Sequence, residues 1–266
     1  MEVHPPEHPI FTWKQFFIHM STICLGLLIA LGLEQSVEAL HRHHQRHQLE
    51  ADLRAEAIQN LRIAIRNLDI MEELDASQAQ QAEELDRAAA EGRSPRYIPL
   101  AVRPYRVPSE AVWTVAQSSI TLNLLPRADA ERFAHRYSVA TFAADDVPRL
   151  NHLIDERSEI LDRASSVPYL SRPTGATYDL SRLSKDNLAH YRDVTARLIA
   201  EARTTLHDNT NLYAFTWGTL HGYTDDESFR KKSEFFAAFR HEGGTAGILK
   251  KFPIPDENSA SPTEDK

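Results

Sequence analysis

The strongest candidates for chemistry in this sequence are four histidines within seven residues, His41, His43, His44 and His47. On a helix, residues three or four positions apart share a face, so His43 and His47, or His44 and His47, can converge. Such pairs can bind a metal ion, but zinc needs further ligands, and no Asp or Glu in the segment has a matching position. The alternatives are a pH-sensitive group and a patch of amphipathic side chains at a lipid surface, and the sequence favours the patch.

Motifs of common enzymes are absent from the sequence, which has no Gly-rich phosphate loop, no HExxH and no GxSxG. The single cysteine, Cys24, lies inside an apolar segment and cannot form an intramolecular disulfide. No catalytic residue and no cofactor are therefore predicted. The formal net charge of -8, from 38 acidic and 30 basic residues, argues against nucleic acid as a partner.

Residues 16–33 form an uncharged run, FFIHMSTICLGLLIALGL, which predicts a transmembrane helix. Eighteen helical residues span roughly 27 Å, close to the thickness of a bilayer core. Trp13 and Lys14 precede the run, as interfacial anchors do. The alternatives are a cleaved signal peptide and a buried core helix. The lipid bilayer is thus the first expected partner.

Three small residues in this run, Thr22, Gly26 and Ala30, are spaced four apart and share one helix face. Such a face lets two membrane helices approach closely, which makes it a candidate for homodimer packing. Val37, Leu40, His44 and His47 continue a seam beyond the membrane segment. The Lys and Arg residues on either side of the run are nearly balanced, and their count slightly favours a cytoplasmic C-terminal domain.

The remaining sequence predicts an all-α fold, in which the transmembrane helix continues into a long helix and an antiparallel helical bundle follows. No alternating strand pattern appears, and residues 34–91 contain neither Pro nor Gly. The predicted organisation is an N-terminal tail (1–15), the transmembrane helix (16–33), a juxtamembrane helical stalk (34–57), the bundle domain (58–252) and a disordered acidic tail (253–266).

Several boundaries inside the bundle can be predicted from Pro, Gly and capping residues. An arginine-rich, proline-rich connector covers residues 93–108, and pairing with the acidic residues that precede it is favoured over contact with lipid. The next helix is expected to open at Ser109. A longer helix is expected at residues 128–165, kinked or split by Pro148. A last long helix should start near Leu180 and end within residues 208–211, before a short helix at residues 226–241.

The segment AVWTVAQSSITLNLLPRADAERFAHRY, residues 111–137, resembles a family of uncharacterised bacterial proteins with one N-terminal membrane helix. In that family the apolar segment looks like GLLIALGLEQSVE at residues 26–38. A second signature matches at Trp113, Ser118, Ser119, Leu122, Leu124, Leu125 and Tyr137. The chain departs from it at Ile120, where the family pattern has Gly in a turn. The resemblance implies membrane anchoring and a helical domain, and assigns no activity.

Two functions are consistent with these features. The sequence favours a structural or interaction protein, an adaptor or assembly component in the bacterial inner membrane with an unidentified protein partner and, by the resemblance, a periplasmic domain. The alternative is a sensor or binding protein for a metal ion or small ligand. Trp113 and Tyr137 are expected to be core anchors, because large aromatic side chains joined by a tight connection pack rather than react.

Overall fold

The structure, a computed structural model, describes residues 13–100, 104–164 and 178–256. All regular secondary structure in these residues is helical, which confirms the all-α prediction. The chain divides into two units, Met1–Glu50 and Ala51–Lys266. The helices are α1 (Trp13–Glu91), α2 (Ala111–Ser118), α3 (Arg127–Ala164), α4 (Lys185–Leu220), α5 (Asp225–His241) and α6 (Thr245–Lys251).

The first unit is described from Trp13, and every described residue of it lies in α1. Among the described residues, this helix alone is long and apolar enough to cross a membrane. Its most apolar 18-residue stretch has a mean hydropathy of 2.2, and none of that stretch is buried. A core helix would bury such a surface, so that alternative is not supported. A signal sequence would have the same length and composition.

In the second unit, α1 and α3 run in the same direction, and α4 runs opposite to both. Asp75 of α1 pairs with Arg203 of α4 at 2.9 Å, whereas Asp86, further along α1, pairs with the earlier Arg192 at 2.9 Å. The contacts between α3 and α4 follow the same opposite order: Arg149 with Glu201 at 2.9 Å, and Arg163 with Asn187 at 3.0 Å. The long helix therefore packs against a bundle, as predicted.

The connector between α1 and α2 explains why α1 and α3 run in the same direction. Its described residues, up to residue 100 and from residue 104, return along α1 and are held by side-chain amides of the helix. The Gln81 amide pairs with the backbone at residues 96 and 98, Asn67 with that of Arg106, and Asn60 with that of Ser109. The connector also pairs with the acidic end of α1, because Arg93 contacts Glu84 at 2.6 Å.

The core of the second unit consists of two apolar clusters along these helices. The first surrounds Leu61, Tyr213 and Phe235 and includes α6. The second surrounds Met71, Ile160 and Tyr191. Core residues of α1 begin within the predicted stalk, because Leu53 and Ala57 are already buried. The boundary between the two units, at Glu50, thus precedes the predicted start of the bundle at residue 58.

Several helix ends differ from the sequence prediction. Ser109 does not open α2, because its hydroxyl donates to Glu56 and the helix begins at Ala111. Residues 180–182 form a 3-10 turn, and α4 begins at Lys185, capped by the Ser184 side chain. It continues past Asn211 to Leu220, because this stretch is buried in the first cluster.

Pro148 lies inside α3, which remains one helix across it. The proline has no N–H group to donate to the preceding turn, so one helical hydrogen bond is lost there. Helix α5 matches the predicted short helix and starts with a capping box, in which Thr224 and Glu227 bond each other's backbone N–H groups. Helix α6 was not predicted. Residues 165–177 and 257–266, where a loop and most of the tail were expected, lie outside the described residues.

Candidate binding cleft

The predicted histidine cluster lies on an exposed part of α1 in the first unit. His43 and His47 bring their Nε2 atoms to 3.1 Å, and their rings meet edge to face. Nδ1 of His47 is 3.6 Å from Glu50. No three His, Cys, Asp or Glu side chains in the described part of the chain are arranged to hold a metal ion. The histidines therefore form a pair with one carboxylate, and the interfacial interpretation stays a prediction.

The small residues Thr22, Gly26 and Ala30 lie on the exposed surface of α1. The Thr22 hydroxyl donates to the backbone carbonyl of Ile18 at 2.9 Å, which satisfies it within the helix. A Cβ atom added at Gly26 would have no atom within 4 Å. This face therefore has room for a close neighbour, and homodimer packing there stays a prediction.

Trp113 and Tyr137 are both buried, and their rings stack with 4.8 Å between centroids. The guanidinium of Arg136 lies over the Tyr137 ring, 3.5 Å from its centroid. The Tyr137 hydroxyl donates to Glu56. The two aromatic residues therefore contribute to packing and also position a buried polar cluster.

Glu56 is the centre of that polar cluster. One of its carboxylate oxygens accepts from the Ser109 hydroxyl at 2.6 Å and from the Val112 backbone N–H at 3.1 Å, at the start of α2. Arg136 is fully buried, its Nη2 is 3.9 Å from Glu56, and its nitrogens have no hydrogen-bond partner among the described residues. Burial lowers the pKa of Arg136. With all its contacts inside the fold, the cluster is suited to holding α1, α2 and α3 together.

An open cleft of about 540 Å³ lies where α5 passes α4, and it offers accessible groups that could bind a ligand. Two phenylalanines of α5, Phe229 and Phe236, form its apolar part, and Phe229 is 65% exposed. The ring of His207, from α4, stacks on Phe236 with 4.9 Å between centroids. Lys232 lies between the phenylalanines, with Nζ 5.7 and 5.8 Å from the two ring centroids.

The cleft carries positive charge that the fold does not neutralise. Its basic side chains are His207, Lys232, Arg240 and His241, and none forms an ion pair within the described parts of the chain. Burial lowers the pKa of His207, and the charges of Lys232 and Arg240 lower it further. In a protein with a net charge of -8, the unpaired side chains of Lys232 and Arg240 favour an anionic ligand.

Sequence reasoning missed this cleft, although α5 carries a signal for it. Phe229, Lys232, Ser233, Phe236 and Arg240 follow spacings of three, one, three and four residues. This pattern places them on one helix face. A mixed aromatic and basic face is not typical of a core, whose charged residues are rare. The contribution of His207 could not be read from spacing, because it comes from another helix.

Comparison of the chain with models of protein families, with curated proteins and with solved structures finds no match. In its described residues the chain is all-helical, with one long apolar helix near the N-terminus, and no family is identified for it. The arguments about function therefore rest on the residues of the chain itself.

Proposed function

We propose that this chain is a single-pass membrane protein of the adaptor or assembly type, whose helical domain binds an acidic segment of a partner protein in the α4–α5 cleft. The observation that carries the proposal is the unpaired positive charge around two accessible phenylalanine rings. A partner helix with one apolar and one acidic face would place apolar side chains on the rings and carboxylates near Lys232 and Arg240.

The proposed location is the bacterial inner membrane, with residues 16–33 as the anchor and the domain in the periplasm. The exposed apolar stretch of α1 supports an anchor, and the sequence resemblance supports the orientation. Carbonate-washed membranes are expected to retain the full-length chain. Release of a soluble product that lacks residues 1–32 would instead identify a signal peptide and contradict the anchor.

The cleft can be tested by placing a photo-crosslinking amino acid at Phe229 in cells. We expect a discrete crosslinked protein from this position. A matched position, Phe142 on α3, is also a well-exposed phenylalanine and should give no such product. The Lys232→Glu, Arg240→Glu double variant should lose the crosslink, because charge reversal would repel an acidic segment.

A matched charge control changes Arg230→Glu and Lys250→Glu, which are exposed basic residues outside the cleft. This control alters net charge equally and should keep the crosslink. Equal crosslinking from Phe142, or loss of the product in both double variants, would contradict the proposed cleft. A thermal shift produced by a small amphipathic anion such as laurate, and lost only in the cleft variant, would favour the small-ligand alternative.

A further inference from the structure

The exposed face of α1 in the first unit continues well beyond the small residues of the apolar run. Leu33, Val37 and Leu40 are 63%, 67% and 69% exposed, and the last two follow the predicted membrane segment. A lone helix would leave these side chains in water or at its boundary, which is unfavourable. Large apolar side chains repeated on one face of an exposed helix mark an interaction surface.

The face has the spacing of a two-stranded coiled coil. Its residues alternate at four and three positions, the repeat that keeps one seam facing a parallel partner helix. We call this face the heptad seam, and it consists of Gly26, Ala30, Leu33, Val37, Leu40, His44 and His47. All seven are exposed and lie in the first unit, within the unbroken helix α1.

We propose that a second copy of this chain packs in parallel along the heptad seam, and that its two histidine positions make the pairing reversible by protonation. The proposal rests on the proposed membrane anchor for its parallel direction, because two anchored copies enter from the same side. In register, each seam residue meets its own counterpart, so an identical chain is the complementary partner.

The residues beside the seam are compatible with this pairing. In a parallel pair, a flanking residue on one helix faces the flanking residue five positions later on the other. Ser36 would face His41, and His43 would face Gln48, so no two carboxylates and no two arginines are opposed. Arg42 and Arg46 are not at these flanking positions, and they pair with Glu38 and Glu50. The polar flanks thus permit the apolar contact.

His44 and His47 would occupy neighbouring layers of the paired helices. Histidine gains its charge within the physiological pH range, so acidification would place up to four positive charges in these two layers. The contact of His47 with His43 already requires an unprotonated ring, because the two Nε2 atoms are 3.1 Å apart. The other groups near His47 are Glu50, at 3.6 Å, and Arg46, which Glu50 neutralises.

The seam can be mapped by disulfide crosslinking of the full chain in lipid vesicles. Cys24 is first changed to Ser; it lies about 200° around the helix from Gly26, outside the seam. Val37→Cys or Leu40→Cys should then crosslink efficiently under oxidation at pH 7.5. Ala39→Cys, on the opposite side of the same helix turn, should not. Equal crosslinking at residues 39 and 40 would overturn the proposal.

The pH response is measured as the monomer–dimer equilibrium of the full chain in detergent, by fluorescence energy transfer. We expect dissociation to become at least about tenfold more favourable between pH 7.5 and 5.5. The His44→Leu, His47→Leu variant should stay dimeric at both pH values. A matched control, Gln35→Leu with Gln45→Leu, adds the same two leucines off the seam and should keep the wild-type response.

A chain that remains monomeric at pH 7.5, or a pH response that persists in the His44→Leu, His47→Leu variant, would overturn the inference. These outcomes are separate from failure of the proposed function. The equilibrium is measured on the purified intact chain, whereas membrane retention and cleft crosslinking are measured in cells and involve other residues.

Discussion

At the scale of single residues, Glu56 joins three segments of the second unit. Its carboxylate accepts from Ser109 and Val112 at the start of α2 and from Tyr137 of α3, and it is the anion nearest the buried Arg136. A carboxylate at a helix N-terminus satisfies free N–H groups and interacts favourably with the helix dipole. One acidic side chain of α1 therefore performs the capping that α2 lacks in its own sequence.

Changing Glu56→Ala should lower the free energy of unfolding by about 3 to 5 kcal/mol, because it removes three hydrogen bonds and takes the nearest counter-charge from the buried Arg136. Urea denaturation followed by circular dichroism measures the change. Glu83→Ala, at an exposed position on the same helix, is the control and should stay within about 0.5 kcal/mol. A loss of less than 1 kcal/mol for Glu56→Ala would show that the cluster is not structural.

Ile120 adopts a left-handed backbone conformation, with φ of 61°, in a turn where Gly was expected. This conformation costs an L-residue roughly 1 to 2 kcal/mol, and a β-branched residue is especially unsuited to it. The side chain is 69% exposed and contributes little burial in return. Burial of the Ile120 side chain therefore does not offset the strain in its backbone.

Changing Ile120→Gly should raise the free energy of unfolding by about 0.5 to 1.5 kcal/mol, because Gly adopts this conformation without a steric cost. Chemical denaturation measures the gain. Ile120→Ala provides the control, since it shortens the side chain but keeps Cβ, and it should give little or no gain. Equal stabilisation by both variants would mean that side-chain exposure, and not backbone strain, sets the effect.

Asp146 is a buried carboxylate in α3, and one of its oxygens has no hydrogen-bond partner in the described residues. Burial raises its pKa to about 6, the nearby Asp208 adds to the rise, and Arg149 opposes it. The folded protein therefore holds this proton at pH values where the unfolded chain, with a carboxyl pKa near 3.9, has released it. The contribution of Asp146 to the free energy of unfolding should therefore fall as pH rises from about 4 to 6.

At pH 7.5 the Asp146→Asn variant should be more stable than the wild type by about 2 to 3 kcal/mol, because the amide needs no ionisation in the buried site. Its stability should also vary less between pH 4 and 6. Denaturation across this range tests both points. Asp155→Asn, at an exposed position of the same helix, should keep the wild-type pH dependence.

At the scale of elements, the connector runs back along α1, and this sets the directions of the helices that follow it. Asn60, Asn67 and Gln81 occupy one face of α1 at multiples of seven residues. Each amide donates to a backbone carbonyl of the connector and accepts from one of its N–H groups. This arrangement satisfies an extended backbone without a neighbouring strand.

Changing Asn67→Ala should cost about 2 to 4 kcal/mol, because it leaves buried polar groups of the connector and of Asn209 unsatisfied. It should also loosen the connector locally, so trypsin should cut after Arg106 sooner than in the wild type. Gln80→Ala, at an exposed position on α1, is the control for both measurements. Wild-type cleavage rates in Asn67→Ala would mean that the amide does not hold the connector.

At the scale of the whole molecule, the chain separates into an exposed apolar helix and a packed helical unit. The second unit, Ala51–Lys266, contains both apolar clusters. Leu53 is fully buried and Leu33 is 63% exposed, although both lie in the same helix. The residues needed for a stable core thus lie after the unit boundary.

Removal of residues 1–50 should therefore leave a soluble domain that is mostly helical and unfolds cooperatively, because no residue of either apolar cluster is deleted. Far-ultraviolet circular dichroism and thermal unfolding measure this outcome. A further deletion to residue 60 removes Leu53, Glu56 and Ile58 and should prevent cooperative unfolding. A strand-dominated spectrum or gradual unfolding of the first deletion would contradict the division.

The sequence by itself determined the helical class, the apolar run and most helix positions. These depend on local properties: apolar spacing, the absence of Pro and Gly from residues 34–91, and the Pro and Gly residues near the ends of the later helices. The ends of the buried helices were harder to predict, because burial can extend a helix past polar residues, as in α4 beyond Asn211. Burial can also keep a helix continuous across a proline, as in α3 at Pro148.

Only the tertiary structure decided which distant residues meet. Glu56 joins residues 109, 112 and 137, and the cleft adds His207 to a face of α5. Such contacts depend on the directions of the helices. These directions follow from the connector, whose backbone is held by side-chain amides of α1. A helix shows its own face through its periodicity, but the partner of that face is fixed only when the chain packs.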